Sequence, residues 1–308
     1  MKLLITGACG HIGSYLAEHA HKIKGLKEVL LVDNLSSQRY NSLFNLNKKI
    51  KFSFYNIDIS KEKLKKFKDI KYVIHCASLT NAEGSFSIKK EMFRNNLECL
   101  KNIINFCKKN NSNLIHISST SVYGKQAKIV NENDEHLLKP QSPYAEIKLI
   151  EEKILKNNKN QLKFITFRFG TISGVSKGMR FHTAINKFCL NASLNQKIHI
   201  YKTAFNQFRP YLSLKDAFAV FKFCIEKNFF NNEVYNVLSG NFTVKQIIQM
   251  IKKYKKKLRI IFVKTKIMNQ LSYQVENTKI KSLGIKFNGS IKKDIKETLS
   301  LFKNLNYS

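Results

Sequence analysis

The chain has 308 residues, 43% of them hydrophobic, and a formal net charge of +33 at pH 7. That apolar content is typical of a globular protein rather than a disordered one, and no stretch reaches the roughly 18–20 uninterrupted apolar residues that a membrane helix needs. Only six of the 54 basic residues are arginines, the residue that dominates phosphate and base recognition, so the charge does not indicate a specific nucleic-acid partner.

The N-terminal segment lacks the signal-peptide pattern of a basic flank, a long apolar run and a small-residue cleavage site. The six cysteines form no C-x-x-C pair and no regular disulfide framework, which is the pattern of reduced thiols. We therefore expect a cytoplasmic protein without membrane insertion.

Apolar runs alternate with segments of helical period up to about residue 170. In chain order the pattern predicts a strand at 2–6, a helix at 12–22, strands at 29–33, 51–57 and 72–77, a helix at 88–108, a strand at 114–119, a helix at 144–155 and a strand at 164–169. Near-continuous apolar strands separated by helices indicate a parallel sheet covered on both faces. The predicted fold class is α/β, a Rossmann-type doubly wound parallel sheet that binds ligands at the carboxyl ends of its strands.

The alternation loosens beyond residue 170, which predicts a smaller C-terminal substrate-binding lobe built from two separated segments. Residues 170–206 and 239–308 are assigned to this lobe. Residues 1–169 and about 207–238 are assigned to the Rossmann domain, because the run from 209 to 227 has the pattern of a strand, a turn and a helix that return to the main sheet.

The segment "TGACGHIGS" (6–14) places Gly7, Gly10 and Gly13 between a predicted strand and a predicted helix. Glycines at such a turn let the backbone approach a pyrophosphate at the helix N-terminus. Cys9 and His11 suggest a metal site instead, but no second nearby Cys/His pair completes a tetrahedral set. We therefore predict a dinucleotide loop and no metal.

Asp33 strengthens this interpretation, because it ends the second predicted strand twenty residues after Gly13. A carboxylate there accepts hydrogen bonds from a ribose diol and repels a 2′-phosphate. The sequence therefore favours NAD over NADP as the cofactor.

Tyr144 and Lys148 in "SPYAEIK" lie four residues apart and thus on one face of a predicted helix. An ammonium one turn away stabilises a tyrosine phenolate, which makes the phenol usable as a general acid and base. Taken alone, this spacing is more often that of a surface tyrosine beside a solvated lysine. Ser119 favours catalysis, because it ends a predicted strand at the carboxyl edge of the sheet, where its hydroxyl can bind the same substrate oxygen.

Five motifs follow one another along the chain: GxxGxxG, "VDNLSS" (32–37), "ISSTSVYG" (117–124), "PYAEIK" (143–148) and "YNVLSG" (235–240). Together they resemble the extended short-chain dehydrogenase/reductase family, in particular its NAD-dependent epimerase/dehydratase branch, which UDP-galactose 4-epimerase typifies. The resemblance implies a nucleotide-sugar substrate. It also implies a homodimer packed through two helices per subunit, here those over 88–108 and 144–155.

The resemblance implies roles for individual residues as well. Catalysis would fall to Ser119, Tyr144 and Lys148, with Lys148 also on the nicotinamide ribose. The cofactor would contact Gly7, Gly10, His11, Ile12, Gly13, Asp33, Asn34, Asp58, Ile59, Ala77, Tyr144 and Lys148. The substrate would contact Ser119, Thr120, Thr171, Arg180 and Arg209.

The family's shared first step moves a hydride from a sugar carbon to NAD while the tyrosine removes the hydroxyl proton. Dehydratases of this branch carry Thr-Asp-Glu where this chain has Ser119-Thr120-Ser121, so the two carboxyls that eliminate water are missing. An epimerase, which passes through a transient keto-sugar, therefore fits best. The alternatives are a dehydrogenase, reductase or dehydratase acting on a nucleotide sugar or another small carbonyl compound, and a non-catalytic NAD-binding protein.

The chain also departs from the family's pattern for binding the substrate phosphates. Thr171 stands where many members have an asparagine. Asn269 and Gln270 precede the C-terminal segment, where members often place a second arginine. Arg180 is a candidate replacement for that arginine, with an ordinary surface arginine as the alternative.

Overall fold

The structure is a computed structural model that describes residues 1–80, 84–264 and 272–305. Asn269 and Gln270, which stand where family members often place a second arginine, lie outside the described residues.

The described residues form fourteen strands and eight α-helices, joined by short 3-10 turns. The strands are β1 (Lys2–Thr6), β2 (Glu28–Asp33), β3 (Lys51–Asn56), β4 (Tyr72–His75), β5 (Asn113–Ser119), β6 (Ile129–Val130), β7 (Phe164–Phe169), β8 (Thr171–Ser173), β9 (Lys197–Tyr201), β10 (Phe208–Ser213), β11 (Val234–Val237), β12 (Gly240–Thr243), β13 (Arg259–Val263) and β14 (Gln274–Val275). The helices are α1 (His11–His19), α2 (Lys89–Asn110), α3 (Pro143–Asn157), α4 (Ala184–Ser193), α5 (Leu214–Lys227), α6 (Val244–Lys252), α7 (Thr278–Lys281) and α8 (Ile291–Ser300). The 3-10 turns are Ala20–Lys22, Tyr40–Leu43, Gly84–Phe86, Thr120–Tyr123, Glu135–Leu137 and Lys202–Ala204.

Seven strands make the main sheet, in the order β3-β2-β1-β4-β5-β7-β11. Every pairing in this sheet is parallel. The order reverses at β1, so the carboxyl ends of β1 and β4 open the crevice in which such sheets bind ligands. This topology confirms the predicted Rossmann-type doubly wound fold.

Helices cover both faces of the main sheet because successive side chains of each strand point to opposite faces. On β1, Leu3 and Ile5 join one core, which also contains side chains of α1 and α5. Leu4 joins the other core, with side chains of α2 and Leu155 of α3. The near-continuous apolar runs that predicted the strands are therefore explained by burial on two sides.

The second half of the chain adds three small sheets. Their strand orders are β12-β10-β8, β13-β9 and β14-β6. A third core fills the space between these strands and α4, α6 and α8, with Ile185, Ile198 and Ile295 at its centre. The assignment of residues 170–206 and 239–308 to a substrate-binding lobe stays a prediction.

The run from 209 to 227 is a strand followed by a helix, as predicted. The strand, β10, pairs with β8 and β12 in a small sheet, and it is α5 and β11 that return the chain to the main sheet.

None of the helices in the described part of the chain has both the length and the apolar character needed to cross a bilayer.

Candidate active site

The glycine loop joins β1 to α1 and begins the candidate site. Gly13 lies in the first turn of α1, where an ideal Cβ would be 2.3 Å from the Gly7 carbonyl oxygen, so only glycine allows this packing. Gly10 is the N-cap of α1 and supplies no side-chain cap, and the first turn contains no acidic residue. The amides at this helix N-terminus are therefore suited to an anionic ligand.

Asp33 holds the loop from the end of β2. Its Oδ2 accepts a hydrogen bond from the Cys9 amide at 2.9 Å, and its Oδ1 accepts one from the Leu35 amide at 2.8 Å. Each carboxylate oxygen has a second acceptor position. Asp33 can thus order the loop and still accept a ribose hydroxyl, while Asn34 beside it is exposed.

The other residues predicted for the adenosine end also follow strands of the main sheet. Asp58 comes after β3, where its Oδ1 accepts hydrogen bonds from Ser60 and its Oδ2 pairs with Lys61 at 3.3 Å. Burial raises the pKa of Asp58, but these contacts outweigh it and lower the pKa overall. Ile59 is buried next to it, and Ala77 follows β4.

Residues 174–180, which we call the strap, cross over the glycine loop. An ideal Cβ on Gly178 would lie 2.2 Å from the Cys9 carbonyl oxygen, so the strap and the loop are in direct backbone contact. The Gly178 amide donates to Ser14 Oγ at 2.9 Å, and His11 Nε2 donates to the Gly174 carbonyl at 2.9 Å. Sequence reasoning missed the strap, for which the only signal was a pair of glycines in an irregular segment.

His11 thus has a definite role in the structure. Its ring is buried, and burial lowers the pKa of His11 to about 4, so the ring is neutral near pH 7. Since a carbonyl can only accept, the proton lies on Nε2. Within residues 1–80, 84–264 and 272–305, no group of three or more His, Cys, Asp or Glu side chains is placed to hold a metal ion.

The predicted catalytic side chains lie at the same carboxyl edge. Ser119 ends β5, and α3 packs against β5 and the turn that follows it. Ser142 caps α3 by accepting from the Ala145 amide at 3.2 Å, and Pro143 begins the helix, which places Tyr144 in its first turn. Lys148 Nζ lies 6.0 Å from the centre of the Tyr144 ring.

Ser119 is partly exposed and is oriented by its neighbour. Its Oγ accepts hydrogen bonds from the Ser121 amide at 3.2 Å and from Ser121 Oγ at 2.9 Å. The Ser119 hydroxyl proton is therefore available for a substrate oxygen. Thr120 is buried, and its hydroxyl contacts the Phe169 carbonyl and the Tyr273 hydroxyl, each at 3.3 Å.

Lys148 has a second partner that the sequence analysis missed. Its Nζ donates to Glu151 Oε2 at 2.8 Å, and the same oxygen accepts from His116 Nε2 at 2.9 Å. His116 is therefore a packed, hydrogen-bonded histidine. So is His75, whose Nδ1 contacts Thr6 Oγ1 at 2.8 Å.

The predicted substrate residues sit in and beside the small sheets. Thr171 begins β8 and lies opposite Tyr211 of β10, and Arg209 lies on β10 itself. Arg180 ends the strap, where its Nη1 donates to Thr80 Oγ1 while its enclosed Nε has no hydrogen-bond partner.

Arg180 carries a charge that its surroundings leave unbalanced. Burial lowers the pKa of Arg180, the nearby Tyr144 raises it, and no ion pair joins this guanidinium to an acidic side chain in the described residues. A partly buried cation without a counter-ion is costly, and an anionic ligand would relieve that cost.

A separate cavity of about 700 Å³ lies beside the strap. Tyr15 of α1, Lys177 of the strap and Asp294 of α8 are among its lining residues. Ser119, Tyr144 and Lys148 do not line this cavity, so it is distinct from the candidate active site.

Comparisons with known proteins agree with this geometry. A family model described as "NAD dependent epimerase/dehydratase family" matches residues 3–237. The chain is 27% identical over 256 residues to a dTDP-D-glucose 4,6-dehydratase of Dictyostelium discoideum, a match covering 77% of this chain and 58% of that protein. It is 26% identical over 253 residues to an ADP-L-glycero-D-manno-heptose-6-epimerase of Brachyspira hyodysenteriae, covering 78% of this chain and 76% of that protein. The match thus spans little more than half the length of the first of these relatives.

Solved structures share the fold over the whole chain. The structure of UDP-glucuronic acid 4-epimerase from Bacillus cereus in complex with UDP-glucuronic acid and NAD has a TM-score of 0.85 and 24% sequence identity. The similarity covers 99% of this chain and 100% of that chain. At this level of identity the likeness concerns the fold alone.

Proposed function

Because the chain belongs to the NAD-dependent epimerase/dehydratase family, we propose that it is an epimerase of a nucleotide-linked sugar. The cofactor of the family is NAD. The glycine loop fits it, because Gly13 packs directly against Gly7 in the turn and the N-terminus of α1 has no side-chain cap. The loop of Gly7, Gly10 and Gly13 would hold the pyrophosphate, and Asp33 the adenosine ribose. When bound, NAD takes up a hydride from a sugar carbon and returns it.

Tyr144 moves the proton in this proposal. Its phenolate oxygen takes the proton of the sugar hydroxyl during oxidation and gives it back during reduction. The ammonium of Lys148, on the same helix face, stabilises the phenolate form. Ser119 donates a hydrogen bond from its free hydroxyl to the substrate oxygen and so holds that oxygen beside Tyr144.

The observation that carries the choice of epimerase is the run of hydroxyls at positions 119 to 121. Elimination of water requires an acid and a base beyond Tyr144, and neither threonine nor serine provides them at neutral pH. The Thr120 and Ser121 hydroxyls are moreover engaged by protein groups, namely Phe169, Tyr273 and Ser119. An epimerisation needs no further acid or base, because Tyr144 serves both half-reactions.

The strap supports a redox-neutral reaction over a net dehydrogenation or reduction. In an epimerisation, as in a dehydration that returns the hydride, the cofactor is regenerated in every cycle and has no need to leave. The contacts of Gly178, His11 and Arg180 tie the strap to the loop, to α1 and to Thr80. A cofactor seated on the loop would be covered by this segment and retained.

Replacing Gly178 with alanine should loosen that cover. The new Cβ would lie 2.2 Å from the Cys9 carbonyl oxygen, so the strap must move away from the loop. Overpacking of this kind costs about 1–3 kcal/mol, and where that cost falls on the closed position of the strap, NAD binding weakens by about 5- to 150-fold. Calorimetric titration of the apo protein with NAD measures the change.

Gly284→Ala is the control for a destabilising substitution away from the loop. Its φ of +78° strains alanine although nothing lies within 4 Å of the new Cβ, and its NAD affinity should stay unchanged. An unchanged affinity in Gly178→Ala would contradict the role of the strap.

Arg180 is the proposed anchor for an anionic group of the substrate, since its guanidinium is enclosed and lacks an acidic partner. Arg209 on β10 is proposed to meet the diphosphate, for which an arginine fork is suited. The dimer through α2 and α3 stays a prediction. These two helices pack against each other within the subunit.

The decisive experiment combines cofactor analysis with a substrate panel. Mass spectrometry of the purified protein should detect retained NAD, and NMR of nucleotide sugars incubated with it should show conversion to an epimer without net NADH. Net NADH formation would instead select a dehydrogenase. Loss of water from the sugar would select a 4,6-dehydratase, the activity in the name of the Dictyostelium relative.

A further inference from the structure

A buried charged cluster lies directly beside the Tyr144–Lys148 pair. Lys148 and Glu151 are one turn apart on α3, with Nζ and Oε2 separated by 2.8 Å, and His116 reaches the same Oε2 from β5 at 2.9 Å. The side chains are 5%, 2% and 0% exposed, respectively. The cluster is thus shielded from solvent, so water and salt screen the interactions between its charges only weakly.

The hydrogen bonds fix the orientation of Glu151. Because a carboxylate only accepts, His116 carries a proton on Nε2, and its Nδ1 contacts the Thr166 hydroxyl at 3.4 Å. One oxygen of Glu151 is therefore held between two donors that come from different elements. This arrangement keeps the carboxylate in place next to Lys148.

The charges of Lys148 and Glu151 stabilise each other. Burial opposes the lysine charge, but Glu151 and Tyr144 raise the pKa of Lys148 above its usual value. Burial likewise raises the pKa of Glu151, but the Lys148 ammonium and the His116 hydrogen bond lower it below the usual range. The charges of Lys148 and Glu151 therefore cancel.

Arg180 is a further cation that faces Tyr144, and Glu151→Gln leaves it unchanged, so it acts alike on the parent and the variant. The His and Cys side chains that face Lys148 and Glu151 are neutral near pH 7. Burial lowers the pKa of His75 to about 3 and raises the pKa of both Cys76 and Cys99 to about 12. In the described part of the chain, the ion pair that Lys148 makes is with Glu151. The carboxylate is thus the charge that balances the lysine.

We propose that Glu151, oriented by His116, is a positioning residue that balances the Lys148 charge and so sets the pH at which the Tyr144–Lys148 pair releases its proton. With Glu151 charged, losing that proton leaves a net negative charge in a buried site. Without that charge, the same loss converts a net positive cluster into a neutral one. The pair therefore keeps its proton to higher pH when Glu151 is present.

This property suits a group that must first take a proton from a sugar hydroxyl. The inference rests on the proposed role of Tyr144 and Lys148 as the proton-transfer pair. A phenol beside an unbalanced ammonium would have a lower pKa, so its phenolate would be a weaker base toward the hydroxyl. Glu151 would thus keep the phenolate basic enough to remove that proton.

The test is a pH titration of the substrate-free protein. Glu151→Gln, which keeps the shape of the side chain and removes its charge, should lower the midpoint of the pair by about 1–2 pH units. Tyrosinate ultraviolet absorbance, minus the trace of the same protein carrying Tyr144→Phe, reads the phenol. Acylation of Lys148 followed by mass spectrometry reads the neutral amine, because either group can release the proton of a coupled pair.

Two further variants separate charge from packing. Glu151→Asp keeps the charge and should leave the midpoint near that of the parent protein, whereas a packing role predicts that aspartate disturbs the site more than glutamine. Glu146→Gln is the matched control on the same helix, since its carboxylate is 38% exposed and pairs with Lys89 at the surface, where solvent screens it.

An unchanged midpoint in Glu151→Gln, or a larger shift in Glu151→Asp, would overturn the proposal. If Glu151→Gln does not fold, Glu151→Asp carries the test: a retained midpoint supports the proposal, and a lowered one overturns it. No substrate is present in these titrations. A failure to epimerise any sugar would therefore count against the proposed function and leave this result interpretable.

Discussion

Replacing Tyr144 with phenylalanine is expected to reduce turnover by about 10²–10⁴-fold, the usual contribution of a positioned acid or base. The substitution removes one oxygen from a partly exposed side chain in the first turn of α3. The ring, the helix cap on Ser142 and the position of Lys148 are all compatible with phenylalanine. The loss should therefore appear in kcat, with the fold and the bound NAD retained.

The measurement is turnover of the sugar that the NMR panel identifies, together with the NAD content of each protein by mass spectrometry. Tyr254→Phe is the matched control, because it removes the same oxygen from a tyrosine that is 39% exposed and follows α6. Full activity in Tyr144→Phe would exclude the proposed mechanism. Loss of NAD along with activity would mean that Tyr144 acts mainly in cofactor binding.

A second large effect is expected on stability when Arg168 is replaced with methionine. Arg168 of β7 and Glu152 of α3 form a two-point ion pair, with Nε–Oε1 at 3.0 Å and Nη2–Oε2 at 2.7 Å. The side chains are 3% and 6% exposed. Removing one partner leaves the other charge buried and unpaired, which costs about 3–5 kcal/mol.

Denaturant unfolding of the parent, the single variant and the double variant Arg168→Met, Glu152→Gln measures this cost. The double variant should regain much of the loss, because the stranded carboxylate is then gone. The amide oxygen of the glutamine can still accept from Ser118, although Tyr123 loses its contact with Arg168. A loss below about 1 kcal/mol in the single variant would show that the pair contributes no more than a surface contact.

The main sheet was predictable because its strands are buried on both faces. Apolar runs such as 164–169 match β7 to the residue, and the helix predicted over 144–155 differs from α3 by one and two residues at its ends. The helix predicted over 12–22 is shorter, since α1 ends at His19 and a 3-10 turn follows. The period of the pattern identifies an element, but hydrogen bonding decides where it ends.

The small sheets were less predictable because their partners are far apart in sequence. The strand at 209–213 has the same apolar pattern as a main-sheet strand, yet β10 pairs with β8 and β12. A local pattern predicts that a strand is buried, but it does not predict which strands pair with it. The contact between β6 and β14 joins segments 145 residues apart, as the register of Gln274 and Ile129 shows.

The candidate site divides in the same way. Gly13, Asp33, Ser119 and the Tyr144–Lys148 pair follow from spacing and position at strand ends. Glu151 does not, because an acid three residues after a lysine is the ordinary pattern of a surface ion pair. Only burial of this helix face against β5 distinguishes Glu151 from such a pair, and burial of that kind is a tertiary property.

The strap also bears on how the protein is made. His11 and Gly174, which hydrogen-bond in the finished fold, are separated by 163 positions in the chain. During synthesis from the N-terminus, the glycine loop and the first five strands of the main sheet leave the ribosome well before residues 174–180 are added. For that interval the loop is open, and afterwards it is covered. NAD can therefore reach the loop unhindered before residues 174–180 are added, whereas in the finished fold its binding and release are expected to require the strap to move.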